Sequence, residues 1–322
     1  MRKFIKNTSL FVLLIIVIFS ALLIGTTKIL NNKSYFLINE NTDKIVFGHS
    51  HAANAFNDSL IDHLKNLGSS GESFFYTYYK AKKIIDANKQ LKTVFIIFTN
   101  NQIEQRANSW IWSDKYLNHT FPKYAAFIDW EGYQLLMKHN WKSLFASECI
   151  ALRENLYFIS RLRKENNYIT ATEWGEYGTV NKVFTNEMSA TKKGDLIIDS
   201  NYISEYSVNY LLKTIALLKM NKINVFLIRS PLHKDYSLTN NGKFLNFLNE
   251  HKLESLFLDF KDYPMQTNQF IDWEHLNVNG AREFSLFFNK LLADSLLQKY
   301  DKQFVIKQKI DKLILEKKQK SL

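Results

Sequence analysis

The order of apolar and polar positions divides the chain into one unbroken apolar run, a series of short strand-like and longer helix-like segments, and a charged tail. Residues 10–25, LFVLLIIVIFSALLIG, are apolar apart from Ser20, a length between a secretory core of ~7–15 residues and a bilayer helix of about 20. Phe4, Ile5, Ile29 and Leu30 extend the run at its two ends. After a polar stalk, KIVF at 44–47 reads as a short buried strand ended by Gly48. In DSLIDHLKNL (58–67), Leu60, Ile61, Leu64 and Leu67 follow helical spacing behind Asp58 as an N-cap, which predicts a helix. GSSGES breaks the chain, FFYTYYKAKKIIDAN predicts a helix, and KTVFIIF (92–98) is the continuous apolar run of a central strand. The rhythm resumes with a helix at 206–220, a strand in INVFLIRSP, and a helix in FLNFLNEHKL. A strand in SLFLDF (255–260) and a closing helix in GAREFSLFFNKLLADSLL complete it. Strands alternating with helices at this spacing predict a parallel α/β sheet with right-handed crossovers.

Residues 105–201 break the rhythm and hold Trp110, Trp112, Trp130, Trp141 and Trp174, five of the six tryptophans. That concentration marks a mainly helical, aromatic-rich insertion whose rings are expected mostly in a core. The predicted organisation is an anchor at 1–30, a stalk at 31–43, an α/β domain at 44–298 interrupted at about 105–201, and a tail at 299–322. Ile306, Ile310, Leu313 and Ile314 fall on one face of that tail among lysines. Such a helix suits an anionic membrane surface or polymer, or stands as a solvated tail.

Composition narrows the classes. Hydrophobic residues at 46% and charged residues at 23% give a globular balance. The single cysteine, Cys149, excludes an intramolecular disulfide framework and any multi-cysteine metal site, and is expected to be a small buried apolar residue. The net charge of +11 lies at the ends: +5 from Lys299 onward and +3 from Arg2, Lys3 and Lys6, leaving +3 between. That remainder makes no footprint for a phosphate backbone, so nucleic acid is excluded as a partner. The basic N-terminus favours a cytoplasmic start, with the bulk of the chain outside a bacterial-type cytoplasmic membrane. TTKILNNKS offers no Ala-x-Ala cleavage site, which favours a retained single-pass anchor over a removed signal peptide.

In parallel α/β sheets the ligand crevice lies outside the carboxyl ends of the strands. Gly48-His49-Ser50-His51, Thr99-Asn100-Asn101 and Arg229-Ser230 each follow a predicted strand and are expected at that edge. Asp272 and His275 sit three apart before a helix starting near Asn279. A carboxylate there can hold one ring nitrogen of the histidine while the other accepts a proton from a serine hydroxyl, and Ser50 supplies the hydroxyl. Gly71, by its backbone N–H, and Asn100 (or Asn101), by its side-chain amide, are candidates with the Ser50 N–H for an oxyanion hole. His49, His51, Trp110 and Trp112 are candidates for substrate contact, one of the two histidines lining the mouth of the site and the other packing. His49 and His51 with Asp272 and His275 also suggest a metal, but a His-x-His turn without cysteines or an HExxH pattern does not carry that reading. Neither metal nor organic cofactor is called for.

These blocks make the chain resemble the SGNH hydrolase (GDSL-type esterase and acyltransferase) superfamily, whose signature residues are a Ser, a Gly, an Asn and a His. Ser50 in FGHSH, Gly71 in SSGES, Asn100 in FTNN and Asp272-Trp273-Glu274-His275 match in the family's order, over most of residues 44–298 without the insertion. The family's usual Asp before the serine is His49 here, and its Gly two before the asparagine is Phe98. With a membrane anchor, the pattern looks like the divergent, membrane-tethered branch that transfers or removes acyl groups on cell-surface polymers. The resemblance implies a three-layer α/β/α (flavodoxin-like) fold and an acyl-Ser50 intermediate. It also implies an acylated envelope polysaccharide or polymer as substrate, and a membrane-bound acyl-donor protein as partner if the reaction is transfer. The rival expectation is a non-catalytic envelope-assembly or glycan-binding protein that keeps the fold.

Overall fold

The computed structural model describes residues 1–162, 164, 166–171, 174–185, 203–238 and 240–320. They fall into two compact units, Met1–Leu37 with Ile111–Thr172, and Ile38–Trp110 with Glu173–Leu322. In chain order the helices that bear on the site and the anchor are α1 (Arg2–Lys33), α2 (Ser50–Ala55), α3 (Phe74–Ala87), α4 (Asn100–Ile103), α5 (Trp130–Arg161), α6 (Glu205–Met220), α7 (Asn241–Glu250), α8 (Val278–Ala293) and α9 (Lys302–Lys320).

The larger unit is built on five parallel strands, β1 (Lys44–Gly48), β2 (Leu64–Gly68), β3 (Thr93–Ile97), β4 (Asn224–Arg229) and β5 (Phe257–Asp259), ordered β2-β1-β3-β4-β5. Phe47 sits opposite Leu67 on one side and Ile96 on the other, and Ile97 opposite Ile228. The chain turns outward on both sides of the β1–β3 pair, so the order reverses there, the switch point where open α/β sheets form their crevice. Val46, Phe95, Ile97, Phe226, Ile228 and Leu258 enter the core beside Phe56, Phe284 and Phe288. The Phe95 and Phe288 rings meet edge-on at 5.3 Å.

Three expectations change here. The helix expected over 58–67 is a single 3-10 turn at Asp58–Leu60 followed by β2. His63 takes a left-handed conformation (φ 59°), which stops a helix, and the buried Asn66 donates to Ala52 O at 2.8 Å and Phe56 O at 2.6 Å. Four apolar residues in ten fit either period, and pairing with β1 decides for the strand. The tail is not a free solvated helix: Ile306 and Ile310 of α9 are buried in the core, each worth about 1.5–3 kcal/mol. Gln303 accepts from Asp259 N (2.8 Å) and donates to Asp259 O (3.1 Å), which blocks the exposed edge of β5. Residues 174–185 of the expected helical insertion are without helix and strap the larger unit. Gly178 N donates to Ala53 O at 2.9 Å, Phe184 N to Phe270 O at 2.8 Å, and Trp174 is fully buried. The part of the insertion at 186–201 lies outside the described residues.

In the smaller unit α1 runs beside α5. The Phe19 and Phe145 rings are 6.3 Å apart, Asn155 Nδ2 donates to Thr26 Oγ1 at 3.3 Å, and Asn31 Nδ2 to Ala126 O at 2.5 Å. α1 is long and apolar enough to cross a membrane. α5 is broken at Asn140 (φ −156°, ψ 66°), whose Oδ1 accepts from Ser143 N and so caps the second half of the helix. Contrary to the expected core, Trp130 and Trp141 are about two-thirds exposed, and Cys149 is exposed rather than buried.

Candidate active site

Gly48 ends β1 with φ +141°, and a Cβ there would lie 2.6 Å from Ile97 Cβ, so neither the backbone angle nor the space admits a side chain. The chain then turns through His49, the N-cap, and Ser50 opens α2. Gly68, at the end of β2, lets α2 sit against the sheet: a Cβ there would be 2.4 Å from Ala52 Cβ. Two glycines therefore set where the serine hydroxyl is presented.

Ser50 Oγ is 2.7 Å from His275 Nε2, across 225 residues of chain. His275 Nδ1 lies 2.9 Å from each oxygen of Asp272. An ionised carboxylate only accepts, so Nδ1 carries the proton and Nε2 presents a lone pair to the Ser50 O–H. Asp272 Oδ1 also accepts from Glu274 N (2.8 Å) and His275 N (2.9 Å), which wraps the turn around the acid. Ile271 N donates to His275 O, His233 N to Trp273 O, and Tyr236 Oη to Glu274 Oε1. Asn277 caps α8 immediately afterwards by accepting from Asn279 N and Gly280 N.

Burial works against charge on His275, but the hydrogen bond and charge of Asp272, with Glu274 nearby, outweigh it and hold the pKa above the ordinary 6.5. Burial would raise Asp272; the His275 ring and the two backbone N–H groups instead leave it below its ordinary 3.8. The pair is arranged as an ionised acid beside a basic imidazole.

One of His49 and His51 was expected to line the mouth and the other to pack; both are buried. Thr99 Oγ1 donates to Asn101 Oδ1 at 2.6 Å and so accepts from His49 Nε2–H at 3.1 Å. The His49 Nδ1 lone pair then faces Ser50 Oγ at 3.3 Å. His51 Nδ1 pairs with Ser230 Oγ at 3.0 Å. The His51 ring packs edge-on between His49 (4.8 Å) and His275 (4.7 Å). Burial, with the His275 charge, lowers the His49 pKa to about 3, and the same causes together with His49 hold His51 well below 6.5. Both are neutral packing and hydrogen-bonding groups. The half-buried Trp110 ring meets His49 at 5.6 Å. Trp112 belongs to the smaller unit, where it stacks on His139 at 3.9 Å.

The oxyanion candidates lie on the loops beside the serine turn. Ser69 N donates to Gly48 O at 2.9 Å, and Gly71, with φ +74°, follows two residues later. That loop is pinned from below by a buried ion pair, Glu72 with Lys80 at 2.5 Å, and by Lys80 Nζ donating to Leu67 O at 2.8 Å. The Thr99 contact to His49 brings the other loop in. Asn100 is buried, its Oδ1 accepts from Arg229 Nη1 at 3.0 Å, and its Nδ2 is bonded to none of the described residues. Because a guanidinium only donates, the amide oxygen must face Arg229 and the NH2 must face away. Arg229 is itself fixed by both oxygens of Asp259 and by Asn241 Oδ1 at 2.8 Å. Asn101 uses its oxygen on Thr99.

Sequence reasoning placed Arg229 at the correct edge but gave it no part, and gave none to Thr99 or Asp259. An arginine closing the apolar strand INVFLIR was the available signal, since a charge at that place needs a partner. Among the described residues no cluster of three or more His, Cys, Asp or Glu is placed to hold a metal ion.

A family of uncharacterised proteins matches residues 179–297, a stretch that contains β4, β5, Asp272 and His275 but not Ser50. No curated protein matches the chain.

Proposed function

We propose that the protein is a serine-dependent esterase or O-acyltransferase of SGNH type, working on acyl esters of a cell-envelope glycan or polymer outside the membrane that α1 crosses. The observation that carries the reading is the Ser50–His275–Asp272 relay, with its 2.7 Å and 2.9 Å contacts. The strand order and the resemblance of the four motif blocks support a three-layer SGNH arrangement around it.

In this reading His275 Nε2 takes the Ser50 proton as Oγ attacks the ester carbonyl. Asp272 holds the ring in the reactive tautomer and stabilises the imidazolium that forms. The tetrahedral oxyanion is held by the N–H groups of Ser50 and Gly71 and by Asn100 Nδ2, whose orientation is set by Arg229. Each such donor is worth about 2.7–4 kcal/mol in the transition state. His275 then protonates the departing alcohol, leaving acyl-Ser50. Water or a polymer hydroxyl, deprotonated by the same imidazole, attacks the acyl carbon and releases Ser50. Hydrolysis and transfer differ only in that second nucleophile.

His49, which replaces an acid beside the nucleophile, motivates the rival of a binding protein with a relic site. Turnover of p-nitrophenyl acetate by the full chain separates the two. The proposal expects hydrolysis that Ser50→Ala abolishes, and equal rates for the two proteins would overturn it.

A further inference from the structure

The strap at 174–185 bonds through its backbone to the ends of the elements that carry the relay. Gly175 starts it: φ is +118° and a Cβ would lie 2.3 Å from Leu67 O, so only glycine fits against the end of β2. Glu176 N then donates to Gly68 O at 3.0 Å, on the strand that leads to Gly71. Gly178 N donates to Ala53 O at 2.9 Å, in the helix that Ser50 opens. Val180 O accepts from Val278 N at 2.9 Å, and Phe184 N donates to Phe270 O at 2.8 Å. Those two partners stand three residues after His275 and two before Asp272. We infer that residues 176–184 are a clamp that sets the spacing between the Ser50 turn and the Asp272–His275 turn; this rests on the serine-dependent reading of the site.

Neither turn fixes that spacing alone. Reacting groups have to be held to about 0.5 Å, and about 1 Å of misplacement can cost roughly 10²-fold in rate. With six residues, α2 is too short to bond its last carbonyls internally. Asn57 N, which would bond Ala53 O in a longer helix, donates to Ser285 Oγ at 2.8 Å, and Gly178 N takes its place. On the other side, Asp272 orients the His275 ring within its own turn but does not fix where that turn stands against Ser50. The buried Phe184 ring supports the turn from outside, edge-on to Trp273 at 4.7 Å and 5.4 Å from His233.

Behind the site, α2 and α8 are joined without the strap. Ser285 Oγ donates to Ala55 O at 3.3 Å, and the Phe56 and Phe284 rings meet at 5.3 Å. Loosening the clamp therefore shifts the two turns against each other while the core holds. Gly178 and Phe184 are positioning residues that act through Ala53 and through the 270–278 turn.

The test is the rate at which a fluorophosphonate labels Ser50 in the full chain between pH 5 and 9, with folding checked by thermal unfolding. In the wild type the rate rises with pH to a plateau as the His275 ring loses its proton. Gly178→Pro, which removes the N–H to Ala53, and Phe184→Ala are each expected to lower the plateau about 10–10²-fold. The pH midpoint is expected to stay in place, because the Asp272–His275 contact lies within one turn. Thr179→Ala, whose side chain is exposed on the same strap, is expected to label like the wild type. A wild-type plateau in both folded variants, or the same loss in Thr179→Ala, overturns the clamp. A shifted midpoint in Gly178→Pro also overturns it, by placing the fault inside the acid–base pair. Should one variant not fold, the other decides. A wild type that does not label overturns the serine chemistry itself, and the inference with it.

Discussion

At the scale of single residues the proposed chemistry depends on which atoms carry protons. Asp272→Asn replaces an acceptor that fixes the His275 tautomer with a group that can donate to it, so ester turnover is expected to fall about 10³–10⁴-fold with folding retained. Loss of less than tenfold in a kinetic assay would remove Asp272 from the relay. The free base is the neutral ring, so in the wild type kcat/KM is expected to rise with pH through a pKa above 6.5. The linked stability term has the opposite sign: a raised histidine pKa stabilises fully below the unfolded value and is lost as pH rises through the folded one. Asn100→Ala removes the amide aimed by Arg229 and is expected to lower kcat about 10²–10³-fold with little change in KM. Asn101→Ala, whose oxygen serves Thr99, is expected to lower it far less. Steady-state kinetics on the two variants decides between them, and equal losses would contradict the assignment to Asn100.

At the scale of elements, legibility followed how far a segment's neighbours lie along the chain. β1, β3, β4 and α8 were readable because continuous apolar runs and clean helical spacing leave one solution. β2 was not: its pattern in LKNL is ambiguous, and the pairing to β1 and the Asn66 bonds that settle it come from elsewhere in the fold. The Ser50, Asp272 and His275 positions were legible because the local turn chemistry is written beside each. Arg229 and Thr99 were not given roles because their partners, Asp259 and His49, are distant in sequence. The fate of α9 likewise depends on a core surface that no local pattern shows. Ile306→Ala is expected to destabilise the fold by about 2–5 kcal/mol, read by denaturant unfolding. A change below 0.5 kcal/mol would mean that α9 is a loose tail after all.

At the scale of the whole molecule, the two buried neutral imidazoles make the larger unit acid-sensitive. Their folded pKa values lie below the ordinary 6.5, that of His49 at about 3. The unfolded chain therefore binds protons that the folded chain refuses, and stability present above pH 6.5 is lost as pH falls toward 3. The slope is at most about 1.4 kcal/mol per pH unit for each ring. Thermal unfolding is expected at lower temperature at pH 5 than at pH 7, with a smaller difference in His51→Gln. An unchanged difference would place the acid sensitivity elsewhere.

The relay itself is tested most directly by a fluorophosphonate probe on the full-length protein, followed by peptide mass spectrometry. The account predicts one adduct, on Ser50, which forms faster at pH 8 than at pH 5.5 and is absent from Ser50→Ala and His275→Ala. An unlabelled Ser50 in the wild type, or labelling at the same rate without His275, would contradict it.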